Sequence, residues 1–221
     1  MQASSCQARA IVRPADTEQL ANVMAACHRA HQPVVTHGGL TGLVRGGVAN
    51  PNEVVISLER MNQIEAIDPV SGTLTVQAGT PLQRVQEAAK DAGMQFALDL
   101  GARGSCTIGG NIATNAGGVR VIRYGMMREQ VLGLEAVLAD GTRVSSMNHM
   151  LKNNAGYDLK QLFIGTEGTL GIVTRAVLKL HPQQPAIQTA LLACPTFNNL
   201  TALLQYARQA LGEQLSAFEV M

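Results

Sequence analysis

The sequence predicts an α+β chain: two small α/β units in succession, then the opening elements of a third piece. Three observations carry that expectation. Short β-branched runs alternate with segments of 3.6-residue apolar periodicity, the pattern of strands and helices stacked in layers. Three loops dense in Gly, Ser, Thr and Asn interrupt the alternation, at residues 37–47, 99–118 and 165–171. A long alternating run, residues 171–180, stops before Pro182, and the chain changes character after residues 183–185.

The first unit spans residues 1–58. Residues 9–13 read as a strand that Pro14 ends, because proline offers no N–H to a ladder. Asp16 then caps a helix, with Gln19 at the capping-box position. Leu20, Val23, Met24 and Cys27 follow at i, i+3, i+4 and i+7 and form one apolar face. Residues 33–36 form a buried strand that feeds the first glycine loop, and residues 53–58 the next strand.

The second unit spans residues 59–182. Residues 64–67 and 73–77 flank a turn at 69–72 and predict a hairpin. Thr80 and Pro81 are expected at the N-cap and first helical positions of a helix that Gly93 ends, with Leu82, Val85, Ala88 and Ala89 on its apolar side. Residues 131–139 and 143–145 bracket Asp140-Gly141, a type I′ hairpin signal. Beyond residue 185 a strand is expected over 187–193 and a second over 217–221. Between them Thr196 caps a helix carrying Leu200, Leu203, Leu204, Ala207 and Leu211 on one side. A strand–helix–strand piece this short cannot bury both faces alone. Residues 183–221 therefore read as the start of an incomplete domain.

Composition removes several classes of function. Hydrophobic residues at 46% and charged residues at 15% describe a compact globular chain. A formal net charge of +1, 3% aromatics and no Trp argue against a nucleic-acid surface. Cys6, Cys27, Cys106 and Cys194 are scattered without a Cys-x-x-Cys pair, the usage of reduced thiols in the cytoplasm. Cys106, inside the second glycine loop, reads as a small filler. The opening residues are polar, unlike a signal peptide, and no apolar run approaches the roughly 18 residues of a membrane span. Neither Gly-x-x-x-x-Gly-Lys-[Ser/Thr], nor Gly-x-Gly-x-x-Gly between strand and helix, nor Gly-x-Ser-x-Gly occurs. His28, His31, His37, His149 and His181 lack metal-ligand spacing; His28 and His31 are placed on one helix face without a carboxylate partner.

The glycine loops remain. Glycine lets backbone approach a ligand closely, and successive N–H groups turned into one concavity hold an anion such as phosphate. Three such loops fit one elongated, doubly phosphorylated ligand held from several sides.

Their order resembles a known family. Pro33-Val34 precedes Gly38-Gly39-Leu40-Thr41-Gly42-Leu43; then come Leu98 to Ala102 and Gly104-Ser105-Cys106-Thr107-Ile108-Gly109-Gly110-Asn111 with Thr114-Asn115-Ala116-Gly117-Gly118. Arg123-Tyr124-Gly125, Gly133 to Gly141, Lys152-Asn153-Asn154-Ala155-Gly156-Tyr157-Asp158-Leu159 and Phe163 to Ile172 complete the set. This is similar to the PCMH-type FAD-binding domain of the vanillyl-alcohol-oxidase-type flavoproteins. Within them it most resembles the FAD-linked D-2-hydroxyacid dehydrogenases: D-lactate dehydrogenase, the glycolate oxidase FAD subunit and D-2-hydroxyglutarate dehydrogenase.

The resemblance implies two packed α/β subdomains with FAD extended between them, followed by the truncated start of a cap domain. Gly38, Gly39, Leu40, Thr41, Gly42 and Leu43 would wrap the pyrophosphate. Gly104, Ser105, Thr107, Gly109, Gly110, Asn111, Thr114, Asn115, Gly117 and Gly118 would line the pyrophosphate, ribityl and isoalloxazine side. Glu167, Gly171 and Ile172 would meet the adenine end. Leu40 stands where covalently flavinylated relatives place a histidine, which implies non-covalent FAD. His37 and Arg45 depart from the residues usual at their positions. Lys152, Asn153 and Tyr157 belong to a motif near the flavin, and no catalytic residue or metal ligand is assigned.

The implied reaction is oxidation of a small D-2-hydroxy acid to the 2-oxo acid, with reduced flavin passing electrons to a quinone, a carrier protein or oxygen. The substrate would be held by the missing cap, and the chain alone would be inactive. Alternatives are a non-catalytic FAD- or nucleotide-binding subunit working with a partner, and a reductase resembling the enolpyruvyl-sugar reductase. A homo-oligomer is compatible with either use.

Overall fold

Parallel pairing organises the first part of the chain. The computed structural model describes residues 7–221, so Cys6 lies outside the described residues. Strands β1 (Ala10–Val12), β2 (Val34–His37) and β3 (Val54–Ser57) form a sheet in the order β1-β3-β2, both pairs parallel. The crossover between β1 and β2 is helix α1 (Thr17–Arg29). Its start is chemical: the Asp16 carboxylate accepts from the Gln19 amide at 2.7 Å, and the Gln19 side chain accepts from the Ala15 amide at 3.0 Å. Leu20 and Met24 are buried on its inner face. His31 lies beyond the helix, left-handed at φ 50°, so it does not share a face with His28.

The larger sheet follows. The hairpin β4 (Ile64–Asp68) and β5 (Thr73–Gln77) is antiparallel. The Asp68 carboxylate holds its turn by accepting from the Val70 and Ser71 amides and from the Ser71 hydroxyl. Helix α2 (Leu82–Asp91) buries Leu82, Val85 and Ala89 and leads to β6 (Met94–Gln95). Pro81, not Thr80, is its N-cap residue, because the Leu82 and Gln83 amides donate to the Cys106 and Arg103 carbonyls. The cap is supplied by tertiary structure, and the helix begins one residue later than expected. Gly93 follows α2 at φ +72°, the left-handed turn expected of it.

The long polar run is not all loop. Its second half folds into α3 (Ile108–Ala113), capped by the Thr107 hydroxyl, and beyond the run come α4 (Val121–Tyr124) and α5 (Met127–Gln130). Strands β7 (Val131–Val137) and β8 (Arg143–Ser146) follow, then α6 (Lys160–Phe163) and β9 (Ile172–Lys179). The five-stranded sheet runs β4-β5-β9-β7-β8, antiparallel throughout. β9 is its centre, with six of its eight residues buried, so the long final run of the unit becomes the strand on which both sides assemble.

The β7–β8 turn differs from expectation. Gly141 alone is left-handed, at φ +89°, where a type I′ turn needs Asp140 left-handed too. Instead the Gly141 amide closes on the Leu138 carbonyl and the Leu138 amide on Thr142, a three-residue loop. β10 (His181–Pro182) pairs with β6, a two-residue contact with no periodicity to announce it. Residues 187–193 and 217–221 form no strand. A strand needs a neighbour to complete its ladder, and among the described residues neither segment pairs with one. Helix α7 (Phe197–Leu211) does form, capped by Thr196, but buries none of its residues.

One apolar cluster joins both sheets, from Leu20 and Met24 of α1 through Ile56 to Leu74, Val76, Ala136 and Ala176. A polar seam reinforces it. Glu135 accepts from the Thr17 and Thr174 hydroxyls at 2.8 Å each, and Arg175 bridges Glu65 and Glu135.

The Asp68 turn makes a prediction. Hydrogen bonds from Ser71 and Val70 hold its carboxyl below the usual carboxylate range. A carboxyl depressed on folding stabilises above its unfolded value, about 3.9, and that contribution disappears as pH falls through the lower folded value. Asp68→Asn should therefore lower the thermal midpoint at pH 7, and the gap from wild type should close as pH drops below about 4. A gap independent of pH would show that the charge plays no part.

Candidate functional site

The three polar loops meet. The first leaves β2 and the second enters α3, and their backbones are in contact. A Cβ at Gly39 would overlap the Ser105 carbonyl, and one at Gly38 would lie 2.6 Å from the Thr107 hydroxyl. The third loop docks on the far end of α3: the Gly165 amide donates to the Ile112 carbonyl at 3.0 Å and the Glu167 amide to Ala113 at 2.9 Å. Glu167 also faces Gly46 of the first loop, and Gly168 lies beside Thr36.

Conformational strain gathers here. Of five non-glycine residues with positive φ among the described residues, Leu40, Arg45, Asn115 and Glu167 belong to these loops. Such conformations cost of order 1–3 kcal/mol each and persist where surrounding contacts over-determine them. Those contacts are visible. The Asn115 side-chain carbonyl accepts from the Arg128 amide at 2.9 Å. The Arg128 guanidinium donates to the Ile164 carbonyl at 2.6 Å and to Gln161. Arg128 thus ties the second loop to the third. His37 closes the first: its Nε2 lies 2.7 Å from the Gly47 carbonyl, which accepts from the ring N–H.

The expected residues fall into distinct surroundings. Thr41, Gly42 and Leu43 stand on the open side of the first loop, and a Cβ at Gly42 would meet nothing within 4 Å. Gly38, Gly39, Ser105 and Thr107 line a cavity of about 260 Å³, and Gly110 lies beside them, its amide directed at the Thr107 hydroxyl. Gly104 is exposed next to Gln83, and the Thr114 hydroxyl donates back to the Gly110 carbonyl. Gly109 packs on Ala78, and Gly118 is pressed against the Asp99 carbonyl at φ +84°. Gly117 contacts Val121. Asn111 is buried and its amide donates to the Cys106 sulfur, so its side chain belongs to the interior. Gly171 and Ile172 are likewise interior, leaving their backbone as the part nearest the third loop. Tyr157 is 95% exposed, and Lys152 and Asn153 share its exposed segment.

Several cavity residues carry no motif. Leu58, Glu59 and Asn62 come from the turn after β3, and Gly79, Pro81 and Arg84 from the entry to α2. Glu59 is held ionised, below the usual carboxylate range, by its 2.7 Å hydrogen bond with Arg13. The signal available in the sequence was Gly79-Thr80-Pro81 between a strand and a helix, a tight joint whose glycine abuts the Leu58 carbonyl. The buried Thr80 hydroxyl, flanked by two cavity residues, has no hydrogen-bond partner among the described residues. Burial pushes the Cys106 thiol up, leaving it a packed side chain rather than a nucleophile.

The chemical capacity of this arrangement is anion binding by backbone. Among the described residues, no amide from Gly38 to Val44 donates to a backbone carbonyl. An exposed run of free N–H groups beside a glycine-lined cavity fits a diphosphate. The described residues contain no group of three or more His, Cys, Asp or Glu placed to hold a metal. No helix among them is long and apolar enough to cross a membrane.

Fold and loops together define an α+β protein whose free loop amides suit an anionic ligand. Comparison with known proteins specifies the family. The FAD binding domain family matches residues 8–146, and the chain belongs to that family. FAD is accordingly its cofactor, and the loop geometry described above suits it. The chain is 45% identical over 213 residues to mitochondrial D-2-hydroxyglutarate dehydrogenase of Bos taurus, covering 96% of this chain and 39% of that one. It is 47% identical over 210 residues to D-2-hydroxyglutarate dehydrogenase of Xanthomonas citri pv. viticola, covering 95% and 44%. A putative mitochondrial D-lactate dehydrogenase of Schizosaccharomyces pombe is 40% identical over 210 residues, covering 95% and 40%. Among solved structures, an alkyldihydroxyacetonephosphate synthase superposes with a TM-score of 0.75 at 25% identity, covering 90% of this chain and 36% of that one. The chain thus spans about two fifths of the length of these relatives.

The contact between the first two loops is testable. Gly39→Ala places a methyl on the Ser105 carbonyl, which neither loop can relieve without moving backbone. The expected cost is about 1–3 kcal/mol in urea unfolding, together with loss of flavin retention. An unchanged midpoint would mean that the loops separate freely.

Proposed function

We propose that this chain is the FAD-binding portion of an FAD-linked oxidoreductase that converts a D-2-hydroxy acid of the lactate, glycolate or 2-hydroxyglutarate type to its 2-oxo acid. The observation that carries the reading is a cavity enclosed between the first two glycine loops, with the third docked on the helix the second one enters, in a chain whose relatives include dehydrogenases of D-2-hydroxyglutarate. Bound flavin would supply the hydride acceptor, its N5, and the chain's own residues would hold and orient it.

Their roles follow from position. The amides of Gly38, Gly39, Leu40, Thr41, Gly42 and Leu43 donate to the diphosphate, and those around Gly104, Ser105 and Thr107 close the cavity from the opposite side. Gly109, Gly110, Asn111, Thr114, Asn115, Gly117 and Gly118 shape the wall behind them. Glu167, Gly171 and Ile172 bound the adenine end. With Leu40 where covalently flavinylated relatives place a histidine, no imidazole stands at that position for a covalent bond to flavin, and His37 of the same loop is engaged with the Gly47 carbonyl, so the cofactor is held non-covalently. Residues 1–58 and 59–182 act as the two halves of the FAD domain, and residues 183–221 begin a cap that carries the substrate contacts. α7, with no buried residue, fits an element designed to pack on more chain. The free thiols Cys27, Cys106 and Cys194 suit a reducing compartment such as the cytoplasm, although several relatives carry a mitochondrial label in their names.

The test is direct. The purified chain mixed with FAD and desalted should retain a flavin spectrum and gain thermal stability, and should not reduce dye with D-lactate, glycolate or D-2-hydroxyglutarate. A folded but colourless protein would end the reading; turnover would show that the chemistry needs no cap. Gly42→Ala separates ligand contact from packing, since its methyl meets no protein atom. Its unfolding free energy without FAD should match wild type within about 0.5 kcal/mol, while FAD affinity falls. Unchanged affinity would remove Gly42 from the site.

A further inference from the structure

The cavity between the first two glycine loops holds a cation that the loop motifs do not account for. Arg84, in the first turn of α2, is the only Lys, Arg or His among its lining residues. Its Nη1 donates to the Asn62 carbonyl at 3.1 Å. Among the described residues it forms no ion pair. The carboxylate that shares the cavity, Glu59, is already paired with Arg13 at 2.7 Å. The Glu59–Arg13 pair cancels, so the net charge facing the space is that of Arg84.

The entry to α2 bounds the cavity through Pro81 but contributes no free donor, since the Leu82 and Gln83 amides are taken by the Cys106 and Arg103 carbonyls. One further feature adds to the charge of Arg84. The same space is lined by Gly38 and Gly39, whose amides donate to no described backbone carbonyl. Arg84 and the Gly38–Gly39 pair thus border a single space whose one carboxylate is already paired.

We propose that Arg84 is a diphosphate ligand of the bound FAD, giving this chain a charge-assisted contact with the phosphates. The proposal rests on the FAD reading above and adds a residue to it. A fixed guanidinium fork meets phosphate oxygens through two parallel N–H donors, which a backbone amide cannot do. The Asn62 carbonyl, taking one N–H, holds that fork at the rim.

The experiment measures FAD affinity of the purified chain by flavin fluorescence across ionic strengths, with ADP and inorganic pyrophosphate as competing probes. Arg84→Gln should raise the FAD Kd about 10- to 100-fold, the loss expected for a hydrogen bond to a charged group, and flatten its salt dependence. ADP and pyrophosphate should weaken in parallel. Arg84→Lys should keep most of the salt dependence. Lys90→Gln, in the last turn of the same helix, should leave all three affinities unchanged and so controls for net charge. Thermal midpoints of the unliganded variants check the fold. A wild-type chain that binds no FAD would overturn the functional reading itself. Wild-type binding that Arg84→Gln reproduces, in Kd and in salt slope, would overturn the role of Arg84 alone.

Discussion

Direct backbone contact between the first and second glycine loops is the constraint on which the rest of the structure depends. Gly39 lies so close to the Ser105 carbonyl that no side chain fits between them, and Gly38 rests on the Thr107 hydroxyl. That hydroxyl is in turn the N-cap of α3. The contact therefore joins the parallel sheet, through β2, to the helix on which the third loop docks. Moving any one loop would move the others. A cavity built this way has walls of peptide groups, and those present donors at fixed spacing without the entropy of long side chains.

Charge is economical in the same place. The chain is close to neutral overall, yet it belongs to a family whose cofactor carries a diphosphate. Free amides in the first loop are suited to part of that demand. Around them, cations are assigned to distinct tasks. Arg128 is spent on the carbonyls of Gln161 and Ile164, Arg13 on Glu59, and Arg120 on Asp99. The strained residues have a similar logic. Asn115 stays left-handed because its side chain is anchored by the Arg128 amide, so the energy of that conformation is balanced by a bond formed elsewhere.

Local signals were strong wherever one segment determines its own structure. Asp16 caps α1 while the Gln19 side chain accepts from the Ala15 amide one residue before the N-cap, Thr196 starts α7, and the hairpin at residues 64–77 folds about Asp68. They failed where a distant segment intervened. The N-cap of α2 moved because the Cys106 and Arg103 carbonyls satisfy its first amides. The expected strands at 187–193 and 217–221 are absent because, among the described residues, no strand pairs with them. Glu59, Asn62 and Arg84 could not be read as cavity residues, since they come from ordinary turns and a helix surface with no motif between them.

The sequence alone determined the element types, the three polar loops and, through their order, the family. Each of these depends on residues close together in the chain: a capping pair, an alternating run, a glycine beside a glycine. Tertiary structure decided which loops touch, which amides remain free, and which charge is left uncompensated beside them. Those properties belong to pairs of residues far apart in the chain, such as Gly39 with Ser105 or Arg13 with Glu59, and they exist only once the backbone has brought the partners within bonding distance.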